Sequence, residues 1–188
     1  MKQAIIYGGA FNPPTIAHQA ILQACVTYAA ENDAEIWILP SGERTDKIIG
    51  LPLDKRLKLL EAFIASVDPG KVKIRVEDHE LHQPDPIQTV QTYQNLKQKY
   101  PECTQIWVFG SDSVLTMRDW EGGQKLYQNL AKLVVDRPGS ELVTIPPNAQ
   151  QLICEPPSVS STLVRSSIAK GLPYKQLIPA KVYVALNN

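Results

Sequence analysis

The sequence predicts an α/β fold, a parallel sheet with helices on both faces. Three observations carry this. "QAIIYG" near the N-terminus is a continuous apolar run, the pattern of a strand buried on both faces. Strand-like runs then alternate with helical periodicity along the chain. Three of those runs end in glycine or polar loops, "YGGAFNPP", "LPSGERTDK" and "FGSDS". Ligands of such sheets bind beyond the carboxyl ends of the strands, where strand order reverses. Candidate chemistry therefore gathers on one edge.

The elements follow in order. After "QAIIYG", residues 18–31 carry apolar positions at helical spacing. "EIWILP" is a second strand. "LPLDKRLKLLEAFIAS" is an amphipathic helix with Asp54 placed as its N-cap. "KVKIRVE" is a third strand, and "PIQTVQTYQNLKQKY" a helix with proline in its first turn. "TQIWVFG" and "AKLVVD" are the fourth and fifth strands. "TLVRSSIAKG" is a short helix closed by glycine. "PAKVYVALN" reads as a last helix, with a strand as the weaker reading.

A length of 188 residues fits one domain, 1–188, with a small helical part over about 158–188. Zero formal net charge gives no broad field for nucleic acid or an acidic membrane, so neither is an expected partner. Three scattered cysteines, Cys25, Cys103 and Cys154, form neither a disulfide framework nor a CxxC metal site. No signal-peptide layout or membrane-length apolar run is present, and a cytoplasmic protein is expected. His79 and His82 in "EDHELHQPD" match no metal motif and read as a solvated loop.

The first loop, "AIIYGGAFNPPTIAH", holds the first candidate site. Gly8 and Gly9 let backbone approach a ligand and adopt positive φ. His18 falls at the start of a helix, where free N–H groups and the dipole attract phosphate. A tight turn with a capping histidine explains the same residues. The second candidate is "SVSSTLVRSSI", residues 158–168. Ser160, Ser161 and Thr162 open a helix, and Arg165 follows one turn in. These hydroxyls cap a helix or donate to phosphate, and the guanidinium forks onto phosphate oxygens or stays on the surface.

Together these stretches resemble the nucleotidyltransferase superfamily, marked by (H/T)xGH early and ISSTxxR late. Here they read "TIAH", Thr15 to His18, and "VSSTLVR", Val159 to Arg165. "GGAFNPPTIAH", "WILP" with Lys47, "PIQTVQTY", "FGSDSVLTMRDW" and "LVVDRPG" are similar to segments of bacterial nicotinate-nucleotide adenylyltransferases. The resemblance implies a Rossmann-like fold and adenylyl transfer from ATP to nicotinate mononucleotide in NAD synthesis, with pyrophosphate leaving. Mg²⁺ is expected on the ATP phosphates with few protein ligands, and no protein metal site is assigned. Thr15, Ala17 and Gln91 depart from the family's usual histidine, glycine and aspartate. A Cβ at Ala17 is expected to crowd the nucleotide.

The resemblance also implies residue roles. His18 donates to an α-phosphate oxygen, with Thr15 beside it in the phosphate site. Arg165, Ser161 and Thr162 hold pyrophosphate, and Lys47 neutralises phosphate from the opposite loop. Gly8, Gly9, Phe11 and Asn12 of the first loop, Gly110 of the fourth strand and Ser160 of the last motif complete the ATP side. Asp112 meets the adenosine ribose or caps the following helix. On the acceptor side, Thr89 bonds the pyridine substituent or lies inside a helix. Trp120 faces the pyridine ring or packs in the core. Arg137 pairs with the mononucleotide phosphate or forms a surface turn. The alternative acceptor is nicotinamide mononucleotide. Phosphopantetheine adenylylation and a non-catalytic nucleotide sensor are further alternatives. A homo-oligomer is left open.

Overall fold

The structure, a computed structural model, describes residues 2–42, 51–137 and 139–188. Six strands make one sheet: β1 (Lys2–Gly9), β2 (Ala34–Pro40), β3 (Ile74–Val76), β4 (Cys103–Gly110), β5 (Lys132–Val135) and β6 (Ala149–Gln151). Every pairing is parallel, in the order β3-β2-β1-β4-β5-β6. The α-helices of the described residues are α1 (Ile16–Glu31), α2 (Leu53–Ile64), α3 (Thr89–Lys99), α4 (Ser111–Thr116), α5 (Gly123–Asn129), α6 (Ser161–Ala169) and α7 (Ala180–Asn187).

The apolar run of β1 is explained by its place. Ile5 pairs with Ile36 of β2 on one side and Ile106 of β4 on the other. Ile5 and Tyr7 face a core built with α1, α2, α6 and α7. Ala4 and Ile6 face a second core built with α3, α4 and α5. A strand covered on both faces has no polar positions to alternate. Chain order reverses between β1 and β4, so their carboxyl ends part there and leave a crevice.

Local chemistry moves several boundaries. Helix α1 begins at Ile16 with Thr15 as N-cap. Helix α2 is entered through Pro52, and Asp54 sits in its first turn instead of capping it. Helix α3 starts at Thr89, leaving Pro86 in the loop before it. The third strand shrinks to three residues because it pairs with β2 alone, at the sheet edge. Strand β6 escapes the sequence reading because "AQQ" has no apolar alternation, and as the opposite edge it needs none. The last segment is helical, as α7, and Val182 is buried in the first core beside Val164 of α6.

Strand β5 carries one polar residue that its neighbours absorb. Lys132 is 1% exposed, and its ammonium donates to the carbonyls of Tyr127, Leu130 and Pro147 at 2.9, 2.7 and 2.8 Å. Burial lowers its pKa to about 8.

Candidate active site

A cleft of about 450 Å³ opens at the carboxyl edge of the sheet, within the usual range for small-molecule sites. Gly8 and Gly9 of β1, Gly110 of β4 and Val135 of β5 form its floor. A Cβ at Gly8 would meet only Leu39, at 3.9 Å, so the glycine leaves room for a ligand and not for a neighbour. Gly9 is different: a Cβ there would press the Phe11 ring at 3.1 Å. Neither glycine has positive φ, because β1 continues its parallel pairing through Gly9 with Pro40. The left-handed residue of the loop is Phe11, with φ 45°. The Asn12–Pro13 peptide is cis.

His18 lines this cleft, and its position is set from behind. The Thr15 backbone N–H donates to His18 Nδ1 at 3.0 Å, and the Thr15 hydroxyl lies 2.7 Å from the same nitrogen. The Thr15 hydroxyl accepts from the His18 N–H at 3.4 Å. This is a capping box, so the capping reading is realised. A backbone N–H has no lone pair, so Nδ1 must accept and the ring proton sits on Nε2. Burial lowers the His18 pKa to about 4, and the positive charge of Arg137 adds to the effect. At neutral pH the ring is an uncharged Nε2–H donor. Phe11 stands edge-on to it at 5.2 Å, with Phe63 of α2 at 6.5 Å.

The second motif meets the first across the fold. Ser160 caps α6 by accepting from the Leu163 N–H at 3.2 Å. The Ser161 hydroxyl donates to the Pro13 carbonyl at 2.9 Å. Arg165 donates to the Asn12 carbonyl at 2.7 Å and to the Thr162 hydroxyl at 3.2 Å. The N-terminus of α6 is thus docked on the loop that leads to His18. On the other side of the cleft, Arg137 Nε lies 3.5 Å from Asp112 Oδ1, and the Arg137 N–H donates to the Ser111 hydroxyl at 2.8 Å.

Residues 6–167 match the Cytidylyltransferase-like family. The "Probable nicotinate-nucleotide adenylyltransferase" of Bacillus licheniformis is 30% identical over 195 residues, covering 100% of this chain and 98% of the relative. The chain belongs to the nicotinate-nucleotide adenylyltransferase family. It is a nucleotidyltransferase enzyme. The relative of the same name from Bacteroides fragilis is 28% identical over 95% of this chain and 88% of its own length. The fold is similar to that of Plasmodium falciparum nicotinic acid mononucleotide adenylyltransferase complexed with NaAD. That likeness has a TM-score of 0.80 at 23% identity, covering 100% of this chain and 96% of that one.

In this adenylyltransferase-family cleft, the motif residues divide into three groups. Gly8, Gly9, His18, Thr89, Gly110, Trp120 and Arg137 line the cleft. Asp112 touches the lining residue Arg137, whereas Ser161 and Arg165 contact Pro13 and Asn12 of the first loop and Ser160 caps α6. Phe11, Asn12 and Thr15 are buried, at 4%, 5% and 0% exposure. The Phe11 ring packs on Tyr7, His18 and Phe63. Lys47 lies outside the described residues. Ala17 is among the buried residues of α1.

Thr89 is the first residue of α3 and not interior to it. Gln91 holds that helix start, accepting from the Gln88 N–H at 2.8 Å. Trp120 lines the cleft, packs against the second core and stands edge-on to Phe109 at 6.1 Å. Sequence reasoning missed Ser41, Glu80, Ser113 and Glu121, which also line the cleft. Ser41 and Ser113 lie inside the loops "LPSGERTDK" and "FGSDS" but were not singled out there, whereas Glu80 and Glu121 belong to no motif; the Glu80 carboxylate accepts from the Thr92 hydroxyl at 2.7 Å and the Gly42 N–H at 3.3 Å. His82 pairs with Asp78 at 2.9 Å on the exposed face.

Proposed function

We propose that this cleft joins ATP to nicotinate mononucleotide. An oxygen of the mononucleotide phosphate bonds to the α-phosphorus of ATP, the bond from that phosphorus to the bridging oxygen breaks, and pyrophosphate departs with the electron pair. The nucleophile is already ionised, so the protein contributes positioning and charge stabilisation. The observation that carries the reading is His18 at a glycine-lined edge between β1 and β4, with its Nδ1 engaged by the Thr15 N–H so that Nε2 is left for a ligand. That donor serves an α-phosphate oxygen as charge develops on it. Arg165, Ser161 and Thr162 serve the leaving pyrophosphate from the docked start of α6, with Ser160 ordering it, and Asp112 serves the ribose.

Thr89, Trp120 and Arg137 form the acceptor side. The exposed guanidinium of Arg137 suits the mononucleotide phosphate, and the Trp120 face suits a pyridine ring. Among the described residues no three His, Cys, Asp or Glu side chains converge as a metal cage. Mg²⁺ would arrive on the triphosphate and keep its waters. When bound it would neutralise phosphate charge. No helix among the described residues is long and apolar enough to cross a membrane, and the substrates fit a cytoplasmic enzyme. We read 1–188 as one domain, since Val164 and Val182 share a core with β1.

The test is pyrophosphate release from MgATP with nicotinate mononucleotide, nicotinamide mononucleotide or phosphopantetheine offered separately. Turnover led by nicotinate mononucleotide is expected. Turnover led by another acceptor reassigns the substrate, and ATP binding without turnover overturns the reaction.

A further inference from the structure

We infer that Thr15 acts on the reaction through His18, as a positioning residue that holds the ring proton on Nε2, and makes no substrate contact of its own. The inference rests on the reading of His18 as the donor to phosphate. Thr15 is fully buried, with no face left for a ligand. Its hydroxyl and its amide both address the imidazole: 2.7 Å and 3.0 Å to Nδ1, with the hydroxyl also 3.4 Å from the His18 N–H. The Thr15 side chain is therefore spent on one neighbour.

Two donors on one lone pair have a chemical consequence. Protonation at Nδ1 would set a ring N–H against the Thr15 N–H, which cannot turn into an acceptor. The hydroxyl would have to give up its donation as well. Both effects favour the neutral ring, in the same direction as burial. The groups facing His18 from other elements are Phe63 of α2, which is apolar, and Arg137 after β5, whose charge also opposes protonation. Phe11 of the same loop is apolar too. Glu80 and Glu121 are the carboxylates that line the same cleft.

The experiment is a nitrogen-resolved NMR titration of the His18 ring in the intact enzyme, in wild type, Thr15→Val and Thr15→Ser, beside kcat and KM for MgATP. In wild type the proton is expected on Nε2 at neutral pH. Thr15→Val removes one donor to the neutral form, so the His18 pKa rises by about one unit. The looser ring lowers kcat about tenfold while KM for ATP stays within about twofold. Thr15→Ser restores both. A wild-type proton on Nδ1 overturns the inference. So does a Thr15→Val enzyme that raises KM for ATP with the titration unmoved, since that marks a phosphate contact. Lost thermal stability alone would reduce Thr15 to a helix cap and overturn it too. If Thr15→Val does not fold, Thr15→Ala carries the same readouts. The titration needs no acceptor, so failure of the proposed reaction in the turnover assay is separate from failure here.

Discussion

Arg165 Nη1 lies 2.7 Å from the carbonyl oxygen of Asn12, 153 positions earlier in the chain. The bond joins the last motif to the first loop, next to the cis peptide that precedes Pro14 and Thr15. Arg165→Ala should lower kcat about 100-fold, the scale of losing one charge-stabilising donor. Arg165→Lys should recover only part of it, because one nitrogen on a shorter stem does not reproduce the planar fork whose Nη1 reaches Asn12 and whose Nη2 reaches Thr162. Steady-state kinetics on both variants checks this. Full recovery with lysine would show that charge alone matters.

His18→Ala should reduce kcat by about 10²–10³ while KM for ATP changes by a small factor. The lost interaction forms mainly as charge develops, and glycine floor and α6 contacts remain to bind the ground state. A large KM effect with kcat retained would place His18 in ground-state binding.

Stability should fall as pH drops from 6.5 to 4. An unfolded histidine takes a proton near 6.5, whereas folded His18 takes one at about 4. Between these values the unfolded state holds more protons, so stability present above pH 6.5 is lost on acidification. The shift corresponds to about 3 kcal/mol at most, at 1.36 kcal/mol per unit. Urea unfolding at stepped pH, on wild type and His18→Gln, measures it. Equal slopes in the two proteins would assign the acid loss to other groups.

Gly110→Ala should impair catalysis more than folding. A Cβ there would overlap Asp112 Oδ1 and stand 2.8 Å from Arg137 Nε, both side chains at the cleft rim. Both must swing away, and a misplacement of about 1 Å at a site can cost 100-fold in rate. Comparing kcat/KM for each substrate with the thermal midpoint tests this. Unchanged kinetics would show that the rim tolerates the displacement.

Lys132→Met should do the reverse. It leaves the carbonyls of Tyr127, Leu130 and Pro147 without their donor. Unpaired buried acceptors cost about 1–3 kcal/mol each before relaxation, so a loss of about 2–4 kcal/mol is expected. Activity per folded molecule should hold, since Lys132 lies outside the cleft. Chemical denaturation and an activity assay on the folded fraction separate the two.

The sequence by itself determined the parallel sheet, its first strand and the two terminal motifs. Those signals are local: the unbroken apolar run of β1, the helical spacing around residues 18–31, and the Thr15–His18 and Ser160–Arg165 spacings. The capping box was equally local, a threonine followed three residues later by a group that reaches its amide. Edge strand β6 was not legible, because an edge with polar neighbours leaves no periodicity to read.

Only the tertiary structure decided how the pieces act together. It buried Phe11 in the core, drew Glu80 to the cleft, set Arg137 beside Asp112 and docked α6 on the Asn12–Pro13 loop. These contacts join residues far apart in the chain. Their geometry follows from which faces of the sheet are buried and from the reversal of strand order between β1 and β4. No window of sequence contains that reversal, since it is a property of the whole packed sheet.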